Sequence, residues 1–268
     1  MPSRDFQTHE TARAIVTGVA RDYAAGETVA PHRHDRCQLL YAIDGVLRVE
    51  TPAGRWVVPP SRAVWLRPGV EHRLRMRGPV RVRSVFVDAR RARGLPAEEG
   101  VIPVSPLLRA LIAELARLGL AAEDTRRGRL LAALLREELR APMDLAFHLP
   151  WPAEGRMAPV CAALMDDGPG RDWEAGRWAR ELAMSLKTFH RHFRRQTGLS
   201  FGQWRLRARL LSSLQGLVGG QPILHVALAC GYESHSAYTL AFRRQFGMAP
   251  SAFVALREPD SASASGWR

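Results

Sequence analysis

"ARELAMSLKTFHRHFRRQTGLSF" (residues 179–201) and "VALACGYESHSAYTLAFRRQFGMAPSAF" (226–253) are two copies of one pattern. At a separation of 49 residues (185 to 234), Ser185 matches Ser234, Phe189 matches Tyr238 and Phe193 matches Phe242. Arg194–Arg195–Gln196 falls on Arg243–Arg244–Gln245, and Gly198 falls on Gly247. A match at fixed offset signals a duplicated supersecondary unit. In each copy a short helix, within "WEAGRWARELAM" (173–184) or "PILHVALACG" (222–231), precedes a second helix that Ser185 or Ser234 is placed to cap. Helical spacing turns Leu186, Phe189 and Phe193 inward and leaves Lys187, His190, Arg191 and Arg194 outward. In the second copy Tyr238 and Phe242 turn inward, with His235, Ser236 and Thr239 outward. "FGQWRLRARLLSSLQGL" (201–217) predicts a strut between the units. A bracing helix followed by one with a polar N-terminal face is the arrangement of a helix-turn-helix. Two of them on one strut can enter major-groove segments about 34 Å apart.

The plainer reading is a helical bundle whose arginines form a solvated face, and the distribution of charge separates the two. The chain carries 39 basic and 26 acidic residues, a net of +13, and Lys187 is its only lysine. Codon bias is the plainer reading of arginine over lysine and a polyanion partner the functional one, and the placement of the charge separates them. Residues 1–100 hold 17 basic and 11 acidic side chains (+6), residues 101–170 hold 8 and 9 (−1), and residues 171–257 hold 13 and 4 (+9). Positive charge is densest over the duplicated unit, as a nucleic-acid footprint requires.

These stretches resemble the double helix-turn-helix domain of AraC/XylS-type transcription regulators over about residues 157–257, most specifically from "GYES" to "FRRQFGMAPSAF". The resemblance implies binding to double-stranded DNA at a promoter or operator. It places base contacts on Lys187, His190 and Arg191, and on His235, Ser236 and Thr239. Arg194, as a phosphate contact, and Arg243 complete the expected DNA-binding set. Where relatives often carry arginine or another polar residue this chain has Leu240, so the second helix is expected to read bases more weakly.

The first hundred residues show the other period. "GVLRVETPAGRWVV" (45–58) predicts a hairpin, and "EHRLRMR" (71–77) and "VRVRSVFV" (80–87) alternate as half-buried strands. The alternation turns His72, Leu74 and Met76 inward and Arg73, Arg75 and Arg77 outward. Short strands punctuated by Gly and Pro predict a small barrel or sandwich. "SPLLRALIAELARLGL" (105–120) and "TRRGRLLAALLREELR" (125–140) then predict helices, the first opened by a Ser105–Pro106 cap. "LPWPAEG" (149–155) reads as a linker.

Within the strand-rich part, Gly26, His32, His34, Gln38 and Gly45 resemble the first cupin motif in spacing, with glutamine where glutamate is usual. "RPGVEH" (67–72) resembles the core of the second, with His72 in the place of its last histidine ligand. Strand parity puts His32, His34 and Gln38 on one face and turns Cys37 away. Three imidazoles with Gln38 as a neutral fourth donor form a candidate site for a transition metal, Zn, Ni, Fe or Mn. The alternative is histidines that bond one another or line an organic-ligand pocket. No HExxH or P-loop spacing occurs, and no catalytic residue is assigned.

The fold class expected is therefore α+β. It comprises an N-terminal cupin-like small β-barrel for effector binding (1–100), linking or dimerisation helices (101–150), a C-terminal all-α tandem helix-turn-helix domain (157–257) and a disordered tail (258–268). The function expected is a one-component, sequence-specific DNA-binding transcription regulator, not an enzyme. Its barrel would sense a small-molecule or metal effector, and the chain would act as a homodimer. The alternative is a cupin metalloenzyme, an isomerase or dioxygenase, with an appended helical module, which has no use for a basic repeat. Cys37, Cys161 and Cys230 form no CxxC pair and suit a reducing compartment. No apolar run reaches bilayer length and "MPSRDFQTHE" lacks an apolar core, so the expected location is cytoplasmic, with no membrane partner.

Overall fold

The computed structural model describes residues 8–141, 143–153, 155–165, 170 and 172–256. The alternating segments become strands β1 (Val16–Tyr23), β2 (Thr28–His32), β3 (Cys37–Asp44), β4 (Leu47–Thr51), β5 (Gly54–Val58), β6 (Arg62–Leu66), β7 (His72–Met76), β8 (Val80–Val87), β9 (Gly100–Pro103) and β10 (His148–Pro150). They form two antiparallel sheets, ordered β1-β8-β3-β6-β9 and β10-β5-β4-β7-β2.

The two sheets differ because they are covered differently. In β3, Leu40 and Ala42 pack toward the second sheet, while Cys37, Leu39 and Tyr41 belong to a separate core beneath helices. A strand covered on both faces needs apolar residues of both parities, and "CQLLYAID" supplies them. β7 is covered on one face only: His72, Leu74 and Met76 are buried, while Arg73 and Arg75 face outward.

The covering helices are α1 (Pro106–Leu118) and α2 (Arg126–Glu138), capped by Ser105 and Thr125 through Leu108 N–H and Gly128 N–H, each at 3.0 Å. Leu108, Leu111, Ile112, Leu115 and Ala116 form the buried stripe of α1. Its close approach to β1 depends on Gly18, where a Cβ would stand 2.2 Å from the Leu115 carbonyl oxygen.

Two expected boundaries shift. The first sheet takes β9 and the second takes β10, so both sheets draw on residues beyond 100. Residues 149–151 of the stretch read as a linker are also packed. Leu149 is buried within β10, the Pro150 carbonyl accepts from Trp204 Nε1 at 2.7 Å, and the Trp151 ring lies 5.9 Å from that of Trp204. Its prolines limit ladder bonding, but its apolar side chains have neighbours to bury against.

The C-terminal region holds α3 (Met157–Met165), α4 (Ala175–Glu181), α5 (Leu186–Thr197), α6 (Phe201–Val218), α7 (Ile223–Ala229), α8 (His235–Phe246) and α9 (Pro250–Ala255). α6 begins at a capping box, with Ser200 and Gln203 each bonded to the other's backbone N–H. Both α5 and α8 start at the expected serine caps and end at Gly198 and Gly247 in the left-handed conformation, φ 73° and 75°. The tail expected to be disordered, 258–268, lies outside the described residues.

Candidate functional site

His32 lies opposite His72 in the pairing of β2 with β7. A bulge between Val29 and His32 breaks that ladder, and such an irregularity re-aims the side chains beside it. His34 follows two residues later. The ring centroids stand 4.2 Å (His32–His72), 5.0 Å (His32–His34) and 5.4 Å (His34–His72) apart. One ring nitrogen from each lies within 4.8 Å of the others. His34 and His72 are buried; His32 is half-buried and reachable from solvent.

Each ring turns Nδ1 to an oxygen. His32 Nδ1 meets the Ala30 carbonyl at 2.8 Å, His72 Nδ1 the Val70 carbonyl at 3.0 Å, and His34 Nδ1 the Glu10 carboxylate at 2.7 Å. Oxygen acceptors fix the proton of the neutral ring on Nδ1. Burial, with a push from His32, holds His72 down to about 3 and His34 down to about 4, and burial also lowers His32. All three are therefore neutral at pH 7, the form that binds metal.

The donor set fits a transition ion. His72 Nε2 and Gln38 Oε1 are buried with no hydrogen-bond partner among the described residues, a cost that an ion would relieve. Gln38 pairs with Phe86 in the β3–β8 register, and the Phe86 ring stands edge-on to His34 at 4.9 Å. Glu10 is the residue that sequence reasoning missed. It lies 24 positions before His34, outside any motif, and also accepts from the Asp35 N–H at 2.8 Å. Such a carboxylate orients a metal-binding imidazole and strengthens its basicity. His9, stacked on Phe86 at 5.3 Å, adds a fourth imidazole to the neighbourhood.

Helices α5 and α8 present most of the expected DNA-binding set to solvent. Lys187, His190, Arg191 and Arg194 on α5 are exposed, as are His235, Ser236 and Arg243 on α8. Two placements are corrected. Leu186, expected inward, is 49% exposed, because the first helical residue projects beyond the Phe189–Phe193 stripe. Thr239, expected outward, is half-buried with its hydroxyl enclosed beside the packed Tyr238. The arginines of the strut have local partners: Arg205 with Glu174 at 2.8 Å, Arg209 with Asp172 at 3.3 Å, and Arg207 with the Leu145 carbonyl. Arg195 on α5 and Arg244 on α8 are exposed as well. No helix among the described residues is long and apolar enough to cross a membrane.

Two family profiles match. One described as an AraC-like ligand binding domain covers residues 16–139, and one described as a helix-turn-helix domain covers residues 178–255. The chain is 32% identical over 248 residues to the HTH-type transcriptional regulator NimR of Escherichia coli (strain K12), an alignment spanning 92% of this chain and 89% of that protein. It is 34% identical over 89 residues to the virulence regulon transcriptional activator VirF of Yersinia enterocolitica, covering 33% of each. Among solved structures, the DNA-binding domain of AdpA in complex with a target DNA is 30% identical, with a TM-score of 0.35, covering 38% of this chain and 93% of that one.

Proposed function

Because the chain belongs to the AraC family of DNA-binding transcription regulators, we propose that it is a one-component regulator whose barrel senses a ligand at the histidine cluster. The observation that carries the sensing half is the convergence of one ring nitrogen from each of His32, His34 and His72 to within 4.8 Å of one another. His32, His34 and His72 would hold a Zn, Ni, Fe or Mn ion, with Gln38 as a neutral fourth donor. A bound ion would supply a Lewis-acidic position open to a small exogenous ligand. We read the site as a sensor and not as a metalloenzyme centre, because its donor set has no carboxylate and the exposed helices α5 and α8 serve DNA.

The route between the two parts runs through residues 145–150. The Phe147 ring lies 5.0 Å from Phe246 at the end of α8, Gln245 Nε2 donates to the Ala146 carbonyl at 2.7 Å, and Trp204 of the strut donates to Pro150. A ligand that favours one placement of this segment shifts DNA affinity by its differential affinity for the two placements. Exposed Leu107 on α1, with Leu130 and Leu134 on α2, supports pairing of two copies through these helices. We place the protein with its DNA, in the cytoplasm.

Elemental analysis of full-length protein purified without chelator, beside a gel shift on the DNA upstream of its own gene, tests this reading. The expected result is bound transition metal and preference for that DNA over random sequence. Equal binding to both DNAs overturns the reading half. Failure to take up Zn, Ni, Co or Mn on titration overturns the metal half.

A further inference from the structure

We propose that Leu240 is a specificity-determining residue of the DNA-binding unit, reading the 5-methyl group of thymine in the major groove. The proposal rests on the sequence-specific regulator reading above and names the base feature that α8 selects.

The exposed residues of α5 and α8 fall on matching lines. On α5, Lys187, Arg191 and Arg194 stand four and then three positions apart, and all are exposed. On α8 the repeat places Ser236, Leu240 and Arg243 at the equivalent positions, again all exposed. Spacings of four and three set such residues one above another on a single helix face. Packing fixes the opposite faces: Phe189 and Phe193 are buried in one copy, Tyr238 and Phe242 in the other. Leu240 is therefore the centre of the α8 line, where α5 carries Arg191. It is the apolar member of that line and is 52% exposed.

The surroundings say what such a leucine would meet. α8 contains no acidic residue, and Arg243 and Arg244 stand exposed about one turn beyond Leu240. A face of that charge is complementary to the phosphates that border a groove. Leu240 lies in the first half of the helix, the half that a helix-turn-helix turns to base edges. Those edges present hydrogen-bonding groups, and the apolar feature among them is the thymine C5-methyl. Against another base, leucine would cover polar atoms and give them no hydrogen bond, which costs free energy. Against thymine, leucine and methyl remove one another from water. Ser236, one turn earlier, accommodates more than one base, so the selection falls to Leu240.

Selection of duplexes from a random-sequence pool by the full-length protein, followed by uracil interference on the selected duplex, tests the proposal. Replacing thymine with deoxyuridine removes the methyl and keeps every hydrogen-bonding group. At one or more selected thymines this replacement is expected to weaken binding about three- to fourfold, the scale of one buried methyl group. Leu240→Ala, shown to be folded by circular dichroism and thermal unfolding, is expected to bind the thymine and deoxyuridine duplexes equally. Arg191→Ala is expected to weaken binding and keep the difference. Leu240→Arg is expected to select guanine at that place, because arginine meets the O6 and N7 of guanine. The proposal is overturned if the unmodified chain binds the two duplexes equally, if folded Leu240→Ala keeps the full difference, or if Leu240→Arg still selects thymine there. Enrichment of no sequence at all would overturn the sequence-specific reading and this proposal with it. Enrichment without a deoxyuridine effect would overturn this proposal alone.

Discussion

The Tyr238 hydroxyl donates to the Ser213 hydroxyl across 2.8 Å, and both side chains are buried. Ser213 donates onward to the Leu210 carbonyl at 2.6 Å. This chain of bonds fixes α8 to one end of the strut, while Phe189 and Phe193 pack α5 against Phe201 and Trp204 at the other. An 18-residue helix is about 27 Å long, so the two reading helices are held apart by a rigid spacer. Tyr238→Phe removes one buried bond and is expected to cost about 0.5–1.5 kcal/mol of stability. Thermal unfolding checks the cost. Footprinting should show weakened protection in the half-site read by α8 and unchanged protection in the other.

Arg191 and Leu240 occupy equivalent places in the duplicated unit (191 + 49 = 240), and both are exposed. His190→Ala or Arg191→Ala is expected to cost about 1–3 kcal/mol of specific DNA binding and to leave random DNA nearly unaffected. Arg194→Ala should weaken both DNAs alike and flatten the salt dependence. Base-pair changes in the half-site of α8 should cost less than changes in that of α5, because Leu240 offers no hydrogen bond. Gel shifts over a salt series measure all three. Equal loss on specific and random DNA for His190→Ala and Arg191→Ala would remove them from the base-reading set.

Much of this was legible in the sequence because it was periodic. The serine caps, the Phe189–Phe193 stripe and the His72–Leu74–Met76 alternation depend on neighbours within a few residues, which one chain segment records. Glu10 was not legible, because its contact with His34 crosses 24 residues and belongs to no spacing rule. The packing of Pro150 and Trp151 was hidden for a related reason: Trp204 and Arg55, which hold them, are remote in sequence. Leu186 and Thr239 show that a helical wheel assigns faces poorly near a helix start and beside a bulky neighbour.

Glu10 is expected to tune metal affinity without being a ligand. Glu10→Gln keeps the size of the side chain and removes its charge from His34, which should weaken metal binding about 10–100-fold. Competition against a chromophoric chelator measures the change. An affinity equal to that of the unmodified chain would separate Glu10 from the site.

The metal-free protein is expected to lose stability in mild acid. His72 and His34 are held near 3 and 4 in the folded chain, against about 6.5 when unfolded. Below about pH 6.5 the unfolded chain takes up protons that the folded chain refuses, so stability falls as pH drops toward 4 and is flat with respect to these groups above about 7.5. The slope approaches about 1.4 kcal/mol per pH unit for each histidine. Urea unfolding at several pH values, repeated in folded His34→Ala and His72→Ala, should show the slope reduced in each variant.

Ligand occupancy at the histidine cluster is expected to set DNA affinity. Fluorescence anisotropy on the upstream DNA, with Zn, Ni, Fe and Mn titrated into metal-free full-length protein, measures this coupling. One of these ions is expected to change DNA affinity by about fivefold or more, the usual scale of coupling between sites. His32→Ala/His34→Ala should remove that response and keep the metal-free affinity, because the ligands lie in the barrel and the reading residues on α5 and α8. DNA affinity independent of every ion, or the same response in the double variant, would contradict it.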